Sequence, residues 1–312
     1  MHLAYKNIGF HISFPQKVKF TVPVPFIFRS IIGYQLRKMC CIARNNVCSA
    51  CMFNATCIYG FIFESIVSKD NPAFACRERI SHPMIISSDN FYFNETDSLV
   101  LNLVFFGATI PYIPYFYYAL KKGGETGIFK ERTPYEIRDI IEFEGTEKEK
   151  SIKIDDQQIK NLLKPEIWEY NIDSESEPAV QKSFLVTLVS PLRYKVRDKY
   201  VDKITAQEFA YCLHRRAQVL CSHYGHNDHP GKYLFGENWT VSEEKVKWRN
   251  CLHYSSRQKK EMLLGGLTGS FVMSGNFTIY ECSVLNFAEI FHGGKNTSFG
   301  LGKIKVSEYG NL

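Results

Sequence analysis

Residues 98–120 read SLVLNLVFFGATIPYIPYFYYAL, the longest uncharged run in the 312-residue chain and long enough to cross a bilayer. Asn102, Gly107, Pro111, Pro114 and four tyrosines interrupt it, so it reads instead as a buried strand, Ser98 to Phe106, followed by a helix from about residue 112 to 122. Pro111 suits the opening of that helix, because a first-turn N–H has no intrahelical partner to lose; Gly123, Gly124 and Gly127 stop it. A strand and a helix here commit the chain to a mixed globular fold.

Working outward, Val18–Val24 reads as a strand and Phe26–Met39 as a helix, with Ile27, Ile31, Tyr34 and Met39 near helical spacing. Pro83–Ile86 is a short strand candidate and Tyr135–Phe143 another, so the first half has the order βαββαβ. The second half repeats it. Phe184–Val189 is a strand closed by Pro191; Thr205 caps a helix through Phe209, Leu213, Ala217 and Leu220; Gly269–Met273 and Phe277–Ile279 form a hairpin around Ser274-Gly275-Asn276; Val284–Ile290 is a helix; Gly300–Val306 is a last strand. The fold expected is α+β, two tandem ferredoxin-like modules: residues 1–143 with a cysteine-rich insertion at 40–57, an acidic linker at 144–182, and residues 183–312 with a glycine-rich loop near the C-terminus.

Composition excludes disordered and fibrous classes: 45% of residues are hydrophobic and 22% charged. The formal net charge of +6 divides as +4 over residues 1–143, −4 over 144–182 and +6 over 183–312, so either basic block can meet a polyanion. Ten cysteines and sequons at Asn54, Asn94, Asn238, Asn276 and Asn296 suit a secreted glycoprotein, but MHLAYKNIGF lacks the pattern of a signal peptide. The expectation is a cytoplasmic protein with reduced thiols and no membrane partner.

Gly293, Gly294, Gly300 and Gly302 surround Lys295 just before the last strand, with Lys303 following. Glycines let backbone N–H groups approach phosphate oxygens, and lysines add charge without reading a base. The spacing does not match the phosphate loop of nucleotide hydrolases. An anion-binding loop and a tight connection with turn glycines both fit it.

The phrase HGGKNTSFGLGKIKV, preceded by SSRQKKEMLLGGLTGSF, resembles the C-terminal signature of CRISPR repeat-processing endoribonucleases of the RAMP superfamily. FRSIIGYQLRKMCC, CSACMFNATCIYGFIFES, LVFFGATIPYIPYFYYALKKGG, SPLRY and FAYCLHRRAQVL resemble the same family in the same order, which covers most of the chain except the acidic stretch. The resemblance implies paired ferredoxin-like domains that bind the repeats of CRISPR precursor RNA and cut them without a metal. The upstream 2′-OH attacks the phosphodiester, leaving a 2′,3′-cyclic phosphate and a 5′-OH, and the mature RNA can stay bound. It also implies catalytic groups on the first helix and adjoining strands. There this chain offers Arg29, Tyr34, Arg37 and Lys38 but no histidine.

Such a reaction needs a base for the 2′-OH, positive charge for the phosphate and an acid for the leaving oxygen. His82, before Pro83, and His292, beside the glycines, are the histidine candidates; Tyr34 with Lys38 or Arg37 is the competing set. Arg29, Arg37, Arg215, Arg216, the glycines, Lys295 and Lys303 are candidate RNA contacts, as are Arg257, Lys259 and Lys260. Cys41, Cys48, Cys51 and Cys57 form C-x6-C-x2-C-x5-C, with Cys40 as an alternative first member. The pattern suits a structural zinc site, an iron–sulfur cluster using the same ligands, or packed reduced thiols. Cys76, Cys212, Cys221, Cys251 and Cys282 are isolated and expected to bury as small apolar groups; His223, His226 and His229, near Cys221 and Asp228, match no zinc spacing. Other readings are a non-catalytic RNA-binding subunit of a CRISPR effector complex and a zinc module for protein contacts.

Overall fold

The computed structural model describes residues 1–43, 47–53, 56–65, 80–92, 94–152, 158–169, 178–226, 238–255 and 260–310. The chain divides into two compact units, Ala4–Glu166 and Met1–Leu3 with Ile167–Leu312.

The first contains β1 (His2–Lys19), α1 (Val24–Cys40), β2 (Met84–Ser88), β3 (Glu95–Phe106), α2 (Ile113–Thr126), β4 (Glu136–Glu144) and β5 (Glu147–Ile152). Its sheet runs β2-β3-β1-β4-β5, with β1 antiparallel to both β3 and β4. Alternate residues explain the packing: Ile8, Phe10 and Ile12 of β1 and Leu101, Leu103 and Phe105 of β3 share one face, covered by Phe28, Ile32 and Leu36 of α1 and Phe116 and Leu120 of α2. Each such side chain contributes about 2 kcal/mol by leaving water. The uncharged run is a strand followed by a helix, and among the described residues no helix is long and apolar enough to cross a membrane.

The second unit holds β6 (Glu166–Glu169, which begins at the last residue of the first), β7 (Val180–Leu192), β8 (Lys195–Val196), β9 (Lys199–Tyr200), α3 (Ala206–Tyr224), β10 (Thr240–Arg249), β11 (Leu252–Ser255), β12 (Lys260–Leu263), β13 (Gly266–Phe277), α4 (Ile279–Phe291) and β14 (Ile304–Glu308). Its sheet order, β10-β13-β7-β14, repeats the arrangement of the first, so both halves are ferredoxin-like with antiparallel sheets. Phe209 of α3 meets Phe271 of β13 edge to face at 5.2 Å in the core of this unit. Thr205 caps α3 by accepting from the Glu208 N–H.

Several local expectations change. The first strand is not Val18–Val24 but the 18-residue β1, most of which precedes it; the helix then starts at Val24, with Pro25 in its first turn. Pro111 lies in a short 3-10 segment, and Pro114 occupies the first turn of α2. Gly123 and Gly124 sit inside α2 instead of ending it: a Cβ on Gly124 would come 2.2 Å from the Tyr135 carbonyl oxygen, so glycine lets the chain entering β4 pack against the helix. Ser274-Gly275-Asn276 is no turn, because β13 runs straight through it, paired with β7 from Leu267↔Leu192 to Phe277↔Val180. Pro191 lies within β7, and β10, β11 and β12 were not anticipated. The acidic stretch carries β5 and β6.

Candidate functional site

Helix α1 buries Phe28, Ile32 and Leu36 and turns Arg29, Gly33 and Arg37 toward a second element, a π-helical turn at Gly60–Glu64. Gly33 lets the two elements approach closely, since a Cβ there would meet the Phe63 ring at 3.1 Å. The rings and cations form a column. The Arg37 guanidinium lies 5.8 Å from the Tyr59 ring centre; Tyr59 stacks on Phe63 at 5.4 Å and 10°; the Arg29 guanidinium lies 4.9 Å from Phe63. Arg29 then reaches His82, Nη2 to Nε2 at 3.3 Å. Two residues predicted from sequence, 53 positions apart, are thus in contact.

His82 is held from the other side. Its Nδ1 lies 3.1 Å from the Ile62 carbonyl oxygen and 2.8 Å from the Ser65 hydroxyl. A carbonyl only accepts, so the network assigns the proton to Nδ1 and leaves the Nε2 lone pair facing the Arg29 N–H. Ser65 adopts φ 48°, ψ 43°, a left-handed conformation at the end of the π turn that brings its hydroxyl to the imidazole. A half-exposed imidazole with an oriented Nε2, beside a guanidinium, can exchange the guanidinium for a substrate hydroxyl and release the cation to a phosphate. Tyr34 is 65% exposed, and Lys38, one turn on, is also exposed; they share a solvent face of α1. Ser65, Tyr59 and Phe63 were not picked out by sequence, where no spacing connects them to His82.

Residues Cys41, Cys48, Cys51 and Cys57 are half-buried, with Cys48 opening a 3-10 turn. Burial pushes the Cys48 thiol up, helped by Glu64 and the Cys41 and Cys57 sulfurs and opposed by Arg37; burial and Cys57 do the same at Cys40. Among the described residues no three His, Cys, Asp or Glu side chains gather where they could hold a metal ion. Cys212, Cys221 and Cys251 are buried, as expected of isolated thiols, and Cys282 is partly so; Cys76 lies outside the described residues. Asp228 and His229 also lie outside them, while His226 exchanges backbone hydrogen bonds with His2. Arg257 and Lys259 are likewise outside; Lys260 is exposed on β12.

At the C-terminal end, α4 stops at His292 (φ 57°), and residues 293–303 fold back on the end of β7. The Gly293 N–H donates to Gly302, Gly302 to Pro191, Lys295 to Arg193 and Gly300 to Thr297. A Cβ on Gly302 would lie 1.9 Å from the Gly293 oxygen, and one on Gly294 2.4 Å from the Arg193 oxygen. The glycines serve close backbone packing, and these N–H groups are spent on carbonyls instead of being offered to an anion. Arg216, taken as a phosphate contact, is as buried as Arg29, each 8% exposed, and differs in its partners: it donates to the Phe291 carbonyl oxygen at 3.4 Å and to the Thr297 hydroxyl at 2.7 Å. His292 is 2% exposed, bonds Leu301 O through Nδ1 at 3.0 Å and is pushed down to about 3, by burial first and by Lys303 second. It is a buried neutral imidazole, not a proton-transfer group facing a strand. Arg215 and Lys295 are exposed and Lys303 half-exposed.

Residues 186–304 match the family model of the CRISPR-associated endoribonuclease Cas6, and residues 3–165 match a family model described as an N-terminal domain. Thermus thermophilus Cas6 superposes with a TM-score of 0.54 at 10% identity, over 98% of this chain and 99% of that one. A product complex of Cas6 gives 0.52 at 12% identity, over 97% and 99%. A partial Cas6-RT-Cas1–Cas2 complex gives 0.55 at 10% identity, over 99% of this chain and 47% of that one. No curated protein matches the chain in sequence. Residues 186–304 thus carry a CRISPR-associated endoribonuclease Cas6 domain, and the whole chain shares the fold of the Cas6 structures.

Proposed function

We propose that this chain cleaves CRISPR precursor RNA within its repeats by attack of the upstream 2′-OH, and that His82 and Arg29 carry the chemistry. His82 Nε2 takes the 2′-OH proton, the oxygen bonds to phosphorus, and the 5′ oxygen leaves, giving a 2′,3′-cyclic phosphate and a 5′-OH. Arg29, displaced from Nε2 by the substrate, stabilises the charge on the phosphate, and the step needs no metal because the guanidinium supplies the positive charge. Tyr34 on the exposed face of α1 is the proton source for the leaving oxygen, and Arg37 and Lys38 hold flanking phosphates. The cleaved RNA stays bound through exposed cations of the C-terminal unit, Arg215, Lys295 and Lys303. Other CRISPR effector subunits are the proposed protein partners.

The supporting observation is the 3.3 Å contact between Arg29 and His82, with Ser65 and Ile62 fixing the ring. Exposure of Tyr34 and Lys38 supports a second reading, in which this pair performs the proton transfer alone. Incubation with repeat RNA in EDTA tests the proposal. Site-specific cleavage with cyclic-phosphate ends is the expected result. Tight binding without cleavage would assign the chain to the non-catalytic subunits, and cleavage that EDTA abolishes would overturn metal independence.

A further inference from the structure

Arg193 follows directly on β7 and is 6% exposed. Its Nε and Nη1 are buried and have no hydrogen-bond partner among the described residues. Guanidinium nitrogens withdrawn from water without an acceptor are costly, and two of them on one arginine call for a physical reason. It lies against a ring instead, the guanidinium 4.2 Å from the centre of Tyr200. Lys195 shares that ring at 5.3 Å, and its ion pair, to Asp198 at 3.9 Å, is with a fully exposed carboxylate. Two cations thus lie within 6 Å of the centre of one aromatic ring.

The ring itself is available. Tyr200 is 41% exposed and lies 6.3 Å from Trp248 of β10, itself 37% exposed, at an interplanar angle of 55°. Tyr200 and Lys195 belong to the β8–β9 hairpin, whose turn residues Arg197 and Asp198 have φ 47° and 63°, so a tight left-handed turn sets the ring over Arg193. The Arg193 carbonyl also accepts the Lys295 N–H, which ties the glycine segment to this place. Exposed stacking surfaces with cations beside them are the chemistry that recognises unpaired nucleotides: bases stack on rings, and phosphates meet guanidinium and ammonium groups.

We propose that Arg193, Lys195, Tyr200 and Trp248 form a binding site for a single-stranded stretch of RNA, with a base stacked on the Tyr200–Trp248 pair and its phosphate on Arg193 and Lys195. This rests on the RNA-processing reading and adds to it a place, in the C-terminal unit, that holds unpaired nucleotides.

Tryptophan fluorescence of the full chain, titrated with a short oligouridylate, reads the site, because Trp168 and Trp239 are buried and Trp248 is not. Quenching is expected, and Trp248→Phe removes it. Tyr200→Ala and Arg193→Met each weaken binding about tenfold, while inorganic phosphate at the same concentration does not compete. Arg193→Met also keeps or raises the melting temperature, since it removes an unpaired buried cation; a structural arginine would lower it. Absence of quenching, or wild-type affinity in both Tyr200→Ala and Arg193→Met, overturns the site. Repeat cleavage is assayed separately: cleavage without quenching sinks this site alone, and quenching without cleavage sinks the nuclease reading alone.

Discussion

The region around His82 and the region around His292 contain the same residue types in opposite settings. Each pairs a histidine with an arginine and a left-handed backbone turn. At His82 the arginine points at the imidazole, the ring is half-exposed, and its Nε2 is oriented by Ser65 and Ile62. At His292 the arginine, Arg216, binds loop atoms, and the imidazole is sealed off. The glycine-rich segment has the denser motif, yet its N–H groups and its histidine are consumed in holding the backbone together. Motif density therefore reported packing in one region, and the sparser region holds the arrangement proposed here to be reactive.

The sharpest way to break this contrast is to exchange the arginines. Arg29→Met should slow repeat cleavage about 10²- to 10³-fold under single-turnover conditions, the loss typical of removing one transition-state charge contact. Arg216→Met should lower the melting temperature and leave the chemical step within about threefold of wild type. Equal effects on cleavage would erase the distinction.

Gly302→Ala should destabilise by about 3 kcal/mol, because φ is +75° and the new Cβ meets the Gly293 carbonyl; urea unfolding measures it. Acid is the next lever. Burial depresses His214 to about 4 and His292 to about 3, so the folded chain binds fewer protons than the unfolded one. Their contribution is full above about pH 6.5 and drains as pH falls toward those values, at about 1.4 kcal/mol per pH unit for each. Stability should be flat between about pH 7 and 8 and fall steeply below, and His292→Asn should shallow that slope. The smallest effect is expected at Lys295, exposed on the glycine segment: Lys295→Ala should weaken RNA binding a few-fold and reduce the salt slope by about one, with no change in melting temperature.

Much of the fold was legible because its cues are local. Helical spacing placed α1, the uncharged apolar run placed β3, a strand-like run placed β4, and Thr205 placed the start of α3. β1 was missed because MHLAYKNIGF mixes Lys6, Asn7 and Gly9 into a strand; Gly9 is tolerated since a Cβ would press on Val100 at 2.8 Å. A hairpin was read at Ser274-Gly275-Asn276 from turn-forming composition, but ten register pairs with β7 outweigh it. Arg29 and His82 were each visible as candidates, whereas their contact, and the burial of Arg216 and His292, are products of tertiary packing that no spacing encodes. Arg193 was within a quoted segment, SPLRY, but only its unpaired nitrogens and the ring above it mark it out.

The two histidines give the most direct test. Single-turnover cleavage of an end-labelled repeat RNA, with folding checked by melting, is compared for His82→Gln and His292→Gln. A loss of about 10²- to 10⁴-fold for His82→Gln, with His292→Gln cleaving near the wild-type rate wherever it stays folded, is the predicted result. Undiminished cleavage by a folded His82→Gln protein would contradict the account.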